Sequence, residues 1–506
     1  MIGSPPPRRQ RWLPLLLWGL PCLVGLSGCE SPPPVSEAPI RLAVAQPPLS
    51  LDPRYATDAI GSRVVELVHQ RLVELGPDLQ PVPGLATWQQ PEPTRYRFEL
   101  QGTPRFHDGS ALDSGDVVAT YRSTLAAGSR SPYGPALGMV DEVRAFGPRV
   151  VEFRLSRPDP LFPGRLSLGI LPAAQAQQAR SPARPLGSGP LRVLRQTPGG
   201  VLLERTADAR HIELVAVRDP TVRVLKLLKG EVDLLQNDLP PELVRHVARQ
   251  PGLRVERRRG SNYSYLGFNL DDPLTGELAL RQAVALAIDR RALIEHLLAG
   301  GARPAGGVLP PEHWAGARDL PPWQHDAQRA RALLREHGLL GAELVYKLSN
   351  DPLRLRIATV IAAQLEAAGL RVRLQSHEWG TFYGDVKAGR FQMFSLAWVG
   401  VHLPDVFREL FHSTAVPPHG ANRGRYRSAA VDRLIDTALR LPPARSVPVW
   451  HAVQQQLAAD LPYVSLWYED HVLARRAQVC GYRLRADGSY RGLTQVYRSA
   501  TPCADP

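Results

Sequence analysis

Hydrophobic and polar residues follow two different periods along this chain, and each period predicts one kind of element. Apolar residues at every second position predict a strand, and apolar residues three or four positions apart predict a helix. The strand period is found at residues 40–45, 96–100, 150–155, 253–269 and 370–375. The helix period is found at residues 61–75, 222–229, 277–299 and 353–368. Because helices and strands interleave throughout, the pattern favours an α/β fold of mixed sheets with helices packed on them.

Short polar signals mark where several of these elements begin and end. Asp113 and Asp116 have the spacing of a capping box at a helix start, and Asp326 is expected to cap a helix that ends at Gly338. Gly369 is expected to end the helix at 353–368. A stretch rich in proline and glycine at 182–190 reads as a crossing between domains.

The first thirty residues read as an export signal. Three arginines precede an apolar stretch at 13–26, which is short for a membrane-spanning helix but typical of a signal peptide. The stretch ends in Leu-Ser-Gly-Cys at 26–29, which resembles the bacterial lipobox and predicts lipidation of Cys29. We therefore expect residues 1–28 to be a lipoprotein signal peptide and residues 29–39 to be the lipidated cysteine and a Pro-rich tether. An ordinary signal peptide with an accidental cysteine is the alternative.

Two further cysteines, Cys480 and Cys503, lie near the end of the sequence. An exported protein occupies a compartment that permits disulfides, so a Cys480–Cys503 bridge is expected, with two free thiols as the alternative. Closing this short loop would stabilise the fold by roughly 3 kcal/mol in the chain-entropy model.

Composition excludes several classes of protein. The chain has 506 residues, 44% of them hydrophobic and 22% charged, which suits a globular protein of two to four packing units. The formal net charge of +13 comes from arginines that are scattered, with Arg257–Arg258–Arg259 as the densest run. A nucleic-acid-binding surface normally needs a clustered basic stripe, so no nucleic-acid partner is expected. No segment after residue 30 is apolar enough to make a polytopic membrane protein.

The sequence contains no recognisable catalytic motif. It has no P-loop, no Gly-x-Ser-x-Gly elbow and no His-Glu-x-x-His helix. His402, His412 and His419 are close in sequence, but their spacing matches no metal motif and they read as loop histidines. We therefore expect no enzyme activity, no catalytic residue, no metal and no cofactor.

Motifs spread over nearly the whole chain resemble the extracellular solute-binding proteins of family 5, the large receptors of peptide and nickel ABC importers. The most specific blocks are Val-Pro-Gly-Leu-Ala-Thr-Trp at 82–88 and Phe-His-Asp-Gly-Ser-Ala-Leu at 106–112, in this order behind a lipobox. Shorter matches support them at residues 50–53, 96–100, 115–118, 187–190, 230–233, 268–269, 281–283, 287–290, 329–330 and 333–334.

The resemblance implies a periplasmic-binding-protein-like α/β fold of the class II type, with three lobes of mixed sheets and a hinged ligand cleft between lobes I and III. It places a discontinuous lobe I at residues 40–50, 183–268 and 473–506. Lobe II is expected at 51–182 and lobe III at 269–472.

The resemblance also implies where the cleft lies. Trp379 and Phe382, in Glu-Trp-Gly-Thr-Phe, and Trp398, nineteen residues after Trp379, are similar to the aromatic walls of the family's cleft. Peptide-binding relatives carry an aspartate three residues after the second tryptophan, which pairs with the free amino group of the peptide. Val401 occupies that position here and cannot accept a hydrogen bond. A one-residue shift of this loop would instead bring Asp405 inward.

Another carboxylate would then have to compensate for Val401, or the ligand would lack a free amine. Asp58 is one candidate, because residues 57–60 match a backbone segment that contacts ligand in the family, and Ala59 belongs to the same segment. Asn269, at the expected exit into lobe III, completes the candidate ligand-binding residues.

The function implied is that of a lipid-anchored, periplasmic or otherwise extracytoplasmic receptor of a bacterial ABC importer. Such a receptor captures a small solute, peptide-like or related, by lobe closure and delivers it to a permease that works with separate ATPase subunits. A monomer is expected. The alternative is a lipoprotein with no transport role, which senses a ligand or acts as a chaperone.

Overall fold

The structure is a computed structural model that describes residues 38–180 and 184–504. The predicted signal peptide and the predicted lipidation site Cys29 lie outside the described residues. No helix in the part of the chain that the structure describes has both the length and the apolar character needed to cross a membrane.

A mixed sheet runs through most of the described chain and has eleven strands within residues 38–180 and 184–504. Ten of them follow one another in the order Arg371–His377, Glu343–Ser349, Met393–Trp398, Leu253–Phe268, Tyr463–Arg476, Leu234–Gln236, Ile40–Val44, His211–Ala216, Gly200–Arg205 and Leu191–Thr197. The short strand Ala302–Pro304 pairs with Tyr463–Arg476 outside this path.

The first lobe is built around the strand Ile40–Val44. This strand lies parallel to both of its neighbours, with Leu42 in register with Leu214 on one side and with Leu234 on the other. Leu42 packs into a core on one face of the sheet, whereas Ala43 packs into a second core on the opposite face. The predicted strand at 40–45 is therefore confirmed, and both of its faces are covered.

Two long antiparallel strands, Leu253–Phe268 and Tyr463–Arg476, cross from the first lobe into the third. Their pairing shifts register between Arg258 and Asn262, which is a bulge at the crossing. Gly260 lies in this bulge, and a Cβ atom there would be 2.3 Å from the carbonyl oxygen of Glu469. Only glycine fits such a close approach of two backbones.

The second lobe has its own four-stranded antiparallel sheet and its own core. The strands follow the order Ala86–Glu92, Arg95–Leu100, Val150–Leu155 and Val140–Phe146. Helix Ser114–Leu125 covers the sheet and begins with the predicted capping box, in which Asp113 accepts from the N–H of Asp116 and Asp116 accepts from that of Asp113. A short hairpin of Val73–Leu75 and Pro81–Pro83 lies beside this sheet.

Helices cover the faces of the sheets. They span Ala59–Val68, Phe162–Arg165, Ala173–Ala176, Pro220–Lys229, Pro241–Ala248, Leu278–Ala287, Arg290–Leu297, Ala327–Glu336, Pro352–Ala368, Trp379–Ala388, Val406–Phe411, Ala429–Arg440 and Pro443–Asp460, with 3₁₀ turns at Pro135–Leu137, Ser413–Ala415 and Arg491–Thr494. Asp326 caps its helix and Gly369 ends the helix Pro352–Ala368 in the left-handed conformation, both as predicted.

The single helix predicted at 277–299 is wrong, because the structure has two helices there. Ile288 adopts an extended backbone, and the side chain of Asp289 accepts from the N–H of Ala292 to start the second helix. The buried guanidinium of Arg290 donates to the carbonyl oxygens of Ala285 and Ile288, which the first helix leaves unpaired at its end. Apolar residues continue with a helical period across the break, so the pattern alone did not show it.

The helix predicted at 61–75 is also shorter in the structure. Helix Ala59–Val68 ends where His69 takes an extended backbone, and Val73–Leu75 is a strand. Val64 and Leu67 pack on the core of the first lobe, whereas Leu72 packs on that of the second. This packing favours placing the helix with the first lobe, and the division into three lobes with the boundaries expected above stays a proposal.

A disulfide joins Cys480 to Cys503, with their Cα atoms 5.7 Å apart. Cys480 belongs to a two-stranded ribbon of Val479–Cys480 and Tyr497–Arg498. The bridge holds the last described residues onto the first lobe.

Candidate ligand-binding site

A cavity of about 370 Å³ lies where the three lobes meet. Residues of the first lobe, the second lobe and the loop after strand Met393–Trp398 all reach it. The lining residues are Pro53, Ser62, Arg63, Val65, Glu66, Arg71, Leu75, Leu79, Tyr133, Ser167, Gly169, Ser261, Asn262, Val399, Gly400, Val401, His402, His471 and Asp487.

Helix Ala59–Val68 forms one wall of this cavity. Ser62, Arg63 and Glu66 lie on the face that lines the cavity, while Val64 and Leu67 are fully buried in the core behind it. The spacing is that of an amphipathic helix, so the burial of the apolar face fixes the direction of the polar one.

Glu66 is a mostly buried carboxylate with an incomplete set of partners. Arg71 donates to it from Nη1 at 3.2 Å, but the same guanidinium also donates to Glu74 at 2.5 Å. Burial raises the pKa of the Glu66 carboxyl above its ordinary value; Arg71 and Arg491 lower it, whereas the nearby Asp487 and Glu74 carboxylates raise it. The site therefore leaves negative charge at Glu66 only partly compensated.

Two further side chains that line the cavity are His471, on the crossing strand Tyr463–Arg476, and Asp487 of the first lobe. Burial lowers the pKa of His471, which is neutral at pH 7 and accepts at Nδ1 from the amide of Asn237 at 3.2 Å. Its Nε2–H donates to the carbonyl oxygen of Ala486 at 3.1 Å, next to Asp487. Oδ1 of Asp487 accepts from the N–H of Ser489 at 2.9 Å, and Oδ2 lies 3.6 Å from Nε of Arg485.

The loop 399–402 forms another part of the lining and brings Val401 to the cavity. Gly400 has a positive φ of 71°, which turns the chain directly after Trp398. His313 holds the loop from behind, with Nε2 3.1 Å from the carbonyl oxygen of His402. The structure thus places the predicted residue Val401 in the cavity, and its side chain offers only apolar contact.

The structure brings the two predicted tryptophans together through an arginine. Trp379, half-exposed at the start of its helix, stacks on Tyr383 with ring centroids 5.4 Å apart. The guanidinium of Arg423 lies 4.6 Å from the ring centroid of Trp398, and its Nη2 donates to Oη of Tyr383 at 3.0 Å. Trp398 in turn lies parallel to Tyr265.

This aromatic stack lies beside the cavity rather than in its lining. Trp379 and Trp398 are not among the residues that surround the 370 Å³ space, although Val399 follows Trp398 directly. Phe382 is fully buried in a core of the third lobe with Val386 and Phe391. The ligand-contact roles expected for Trp379, Trp398 and Phe382 stay predictions.

The three remaining predicted residues have local structural partners. Asp58 caps helix Ala59–Val68, with Oδ1 accepting from the N–H of Gly61 at 2.8 Å and Oδ2 from that of Leu49 at 3.2 Å. Ala59 is the exposed first residue of that helix. The amide of Asn269 donates to the carbonyl oxygens of Gly389 and Phe391, both at 3.2 Å. None of the three lines the 370 Å³ cavity, and their ligand contacts also stay predictions.

Asp405 faces the second lobe. Its carboxylate lies 2.7 Å from Nη1 of Arg165. The loop shift that would bring Asp405 to the ligand is therefore not seen in this structure.

A second cavity of about 760 Å³ adjoins the first, since both are lined by Leu79 and Asp487. Its walls are rich in guanidinium groups, and the Cys480–Cys503 disulfide lies beside them. The arginines that line it are Arg257, Arg258, Arg475, Arg483 and Arg485.

The charged residues of the first cavity were missed by sequence reasoning. Glu66 left a signal, because it is the one charge in the run Val-Val-Glu-Leu-Val at 64–68. A lone carboxylate between apolar neighbours on a predicted helix has to face either solvent or a polar site. Asp487 left none, because it lies in a loop 421 residues further along the chain and only the fold brings it near Glu66.

Comparison with known proteins places the chain in a family. The family described as "Bacterial extracellular solute-binding proteins, family 5 Middle" matches residues 80–416. The "Probable di/tripeptide-binding protein 5" of Pseudomonas aeruginosa (strain UCBPP-PA14) is 25% identical over 434 residues, which is 78% of this chain and 82% of the relative. The "Dipeptide-binding protein" of Escherichia coli (strain K12) is 25% identical over 420 residues, which is 73% of this chain and 78% of the relative.

A solved structure shares the fold. The structure of HbpA2 from Haemophilus parasuis superposes with a TM-score of 0.81 at 21% sequence identity, covering 91% of this chain and all of that one. The predicted periplasmic-binding-protein-like α/β fold is thereby confirmed. The family is one of solute-binding proteins rather than of enzymes. With two thirds of its length matched by the family, this chain belongs to the bacterial extracellular solute-binding proteins of family 5.

Proposed function

We propose that this protein is an extracytoplasmic receptor that captures a short peptide, or a related small solute with charges of both signs, and delivers it to an ABC importer. The observation that carries the proposal is the 370 Å³ cavity, which is lined by residues of three lobes and contains two carboxylates and two guanidinium groups. A volume of this size is typical of pockets for small ligands, roughly 300–1,000 Å³. The names of the relatives, a dipeptide- and a di/tripeptide-binding protein, agree with a ligand of a few residues.

The mechanism is closure of the lobes around the ligand. The ligand binds the open form and contacts both walls in the closed form, so its differential affinity shifts the population toward closure. The two strands that cross at the Gly260 bulge are the proposed hinge, because they run from the first lobe into the third and their pairing shifts register there. The protein acts as a monomer without chemistry of its own, and separate ATPase subunits supply the energy.

Lipidation of Cys29 is the proposed means of attachment to the membrane. Several acyl chains on one residue give durable anchoring, and a tether keeps the receptor at high local concentration near its permease. A Cys29→Ala variant of the full chain is expected to leave the membrane fraction and to lose incorporation of labelled palmitate. A variant that stays in the membrane fraction and still incorporates labelled palmitate would refute lipidation at Cys29.

The function is tested by identifying the natural ligand. Residues 30–506 are purified without denaturation, and the molecules released on unfolding are identified by mass spectrometry, followed by calorimetric titration with di-, tri- and tetrapeptides. Short peptides in the released fraction, with micromolar or tighter binding, are the expected result. A released solute that is not a peptide, together with no heat from any peptide, would overturn peptide capture.

An uptake assay distinguishes a role in import from a role in ligand sensing. A strain without this protein is expected to lose uptake of the labelled ligand and to regain it with the wild-type chain. Normal uptake in the deletion strain, with an altered response to the ligand, would favour a lipoprotein that senses rather than imports.

A further inference from the structure

We propose that the ammonium group of the bound ligand is held by Glu66 and Asp487, which line the same cavity as Val401 but belong to other elements of the fold. This inference rests on the proposed function, because it assigns the end of a peptide that carries the free amine. It moves the amine site from the loop at 399–402 to the helix that carries Glu66 and the loop that carries Asp487.

The first step is the set of carboxylates that can reach the ligand. Among the described residues that line the cavity, the acidic ones are Glu66 and Asp487. Val401 cannot accept a hydrogen bond. The two carboxylates considered from the sequence are occupied elsewhere: Asp58 accepts from two backbone N–H groups, and Asp405 pairs with Arg165.

The second step is the burial of Glu66. One of its oxygens accepts from Arg71 at 3.2 Å, but Arg71 forms the shorter of its two ion pairs with Glu74, at 2.5 Å. Burial raises the pKa of Glu66, and the neighbouring Asp487 adds to this, although Arg71 and Arg491 lower it, so the charged carboxylate is less stable there than in water. A cation placed between Glu66 and Asp487 would stabilise the charged form.

The third step is the free acceptor on Asp487. Its Oδ1 accepts from the N–H of Ser489 at 2.9 Å. The nearest guanidinium nitrogen, Nε of Arg485, is 3.6 Å from Oδ2, which is beyond a normal hydrogen bond. Oδ2 can therefore accept from an ammonium group, and a charge-assisted bond of this kind is about twice as strong as a neutral one.

Val401 then has a role in contacting an apolar part of the ligand. With the amine on the first lobe, Val399 and Val401 contact the first side chain of the ligand, which explains why an apolar residue is suitable there. Because Asp487 lines both cavities, the rest of the ligand can extend from it toward the arginines of the adjoining one.

The test compares each of the peptides used in the function assay with its N-acetyl form, by calorimetry on the whole chain 30–506. The wild type is expected to bind the free-amine form at least tenfold more tightly. Glu66→Gln and Asp487→Asn are each expected to reduce this ratio severalfold, and the double variant should bring it close to one. Adding Val401→Asp to the double variant should restore a ratio above one, because it returns a carboxylate to the same cavity.

The controls distinguish this inference from the proposed function. Glu343→Gln, in an exposed ion pair with Arg373, should keep the wild-type ratio. A double variant that is folded, as judged by its circular dichroism, and keeps the wild-type ratio overturns the inference while peptide binding stands. If Asp58→Asn alone abolished the preference for the free-amine peptide over its N-acetyl form, the inference would also be overturned, and the amine would be assigned to the helix cap. A wild type that binds none of the peptides overturns the proposed function and this inference with it.

Discussion

Arg165 of the second lobe forms an ion pair with Asp405 of the third, with the Nη1 and Oδ2 atoms 2.7 Å apart. The same guanidinium donates from Nε to Asp159 at 2.6 Å. Although burial lowers it, the two carboxylates hold the pKa of Arg165 above its ordinary value. Leu403 packs against Gly164 beside the pair, where a Cβ atom would be 2.7 Å from the leucine side chain. The loop that carries Val401 is thus fastened to the second lobe at its far end.

We expect Asp405→Asn to weaken this contact. The variant keeps the shape of the side chain but loses the charge, and a partly buried charged hydrogen bond contributes about 1–2 kcal/mol. Urea unfolding should show that loss in the free energy of unfolding, and the ligand should dissociate faster because the loop is held less firmly. The exposed carboxylate of Glu343 gives the comparison, since its removal should cost less than about 1 kcal/mol. Equal losses in the two variants would contradict a specific role for the pair.

We expect Glu66→Gln to raise the melting temperature of the ligand-free protein at pH 7. The folded-state pKa of this carboxyl lies above its unfolded value, so its effect on stability is most favourable below the unfolded pKa and is lost as the pH rises through the folded pKa. Removing the charge should therefore stabilise the protein at pH 7 and have little effect below about pH 4, near the ordinary glutamate value. Calorimetric scans across this range test it. A lower melting temperature at pH 7 would mean that the bond to Arg71 outweighs the cost of burial.

Acid should destabilise the fold through two buried histidines. Burial lowers the pKa values of both His69 and His313 to about 4 from an ordinary 6.5, so each is neutral in the folded protein at pH 7. Because the folded-state pKa is depressed, each histidine contributes its full stability above pH 6.5 and loses that contribution as the pH falls through about 4. The loss in the free energy of unfolding is on the order of 3 kcal/mol per group. A variant with glutamine at both positions should show a shallower fall in unfolding free energy between pH 6.5 and 4. Replacing the exposed His337 should leave the slope unchanged, and an unchanged slope in the double variant would refute the assignment.

Reduction of the Cys480–Cys503 disulfide should lower the free energy of unfolding by about 3 kcal/mol. The bridge spans 23 residues and closes the segment that contains Asp487. A Cys480→Ser, Cys503→Ser variant should therefore melt at a lower temperature than the wild type and should not respond to a reducing agent. If the wild type does not respond either, the two cysteines do not form the bridge in solution.

Replacing Arg423 should disrupt the aromatic stack around Trp398. Arg423→Met has a similar length but loses the hydrogen bond to Tyr383 and the cation over the Trp398 ring, and each such interaction contributes about 0.5–2 kcal/mol. We expect a lower urea midpoint and an altered near-ultraviolet circular dichroism spectrum. Arg433→Met, on an exposed helix face, is the matched control. A variant with an unchanged spectrum would show that the stack does not depend on the guanidinium.

The sequence predicted the ends of helices correctly where one local signal determines the end. The capping pair Asp113 and Asp116, the cap Asp326 and the stop Gly369 all lie at the predicted positions, because caps act within one turn of the helix. Periodicity did not predict the helix break at Asp289, because the apolar pattern continues across this cap. The carbonyl oxygen of Ala285, near the end of the first helix, accepts a hydrogen bond from Arg290 of the second helix.

The site was predicted less completely than the fold. Val401 was placed by its distance from Trp398, and it lines the cavity. The helix cap at Asp58 is local, but the partners of Asn269 lie more than a hundred residues away, and the approach of Asp487 to Glu66 depends on the whole fold of the first lobe. Long-range contacts between loops and helices leave little trace in a single sequence.

The position of strand Ile40–Val44 determines how the molecule would carry a mechanical load. Arg498 donates to the carbonyl oxygens of Ala38 and Pro39, at 2.6 and 2.7 Å, just before the chain enters the middle of the sheet between two parallel neighbours. A pull on the residues that precede Ala38 acts along this strand, so the hydrogen bonds on both sides resist in shear and share the force. The load is taken up within the first lobe, ahead of the two strands that cross into the third.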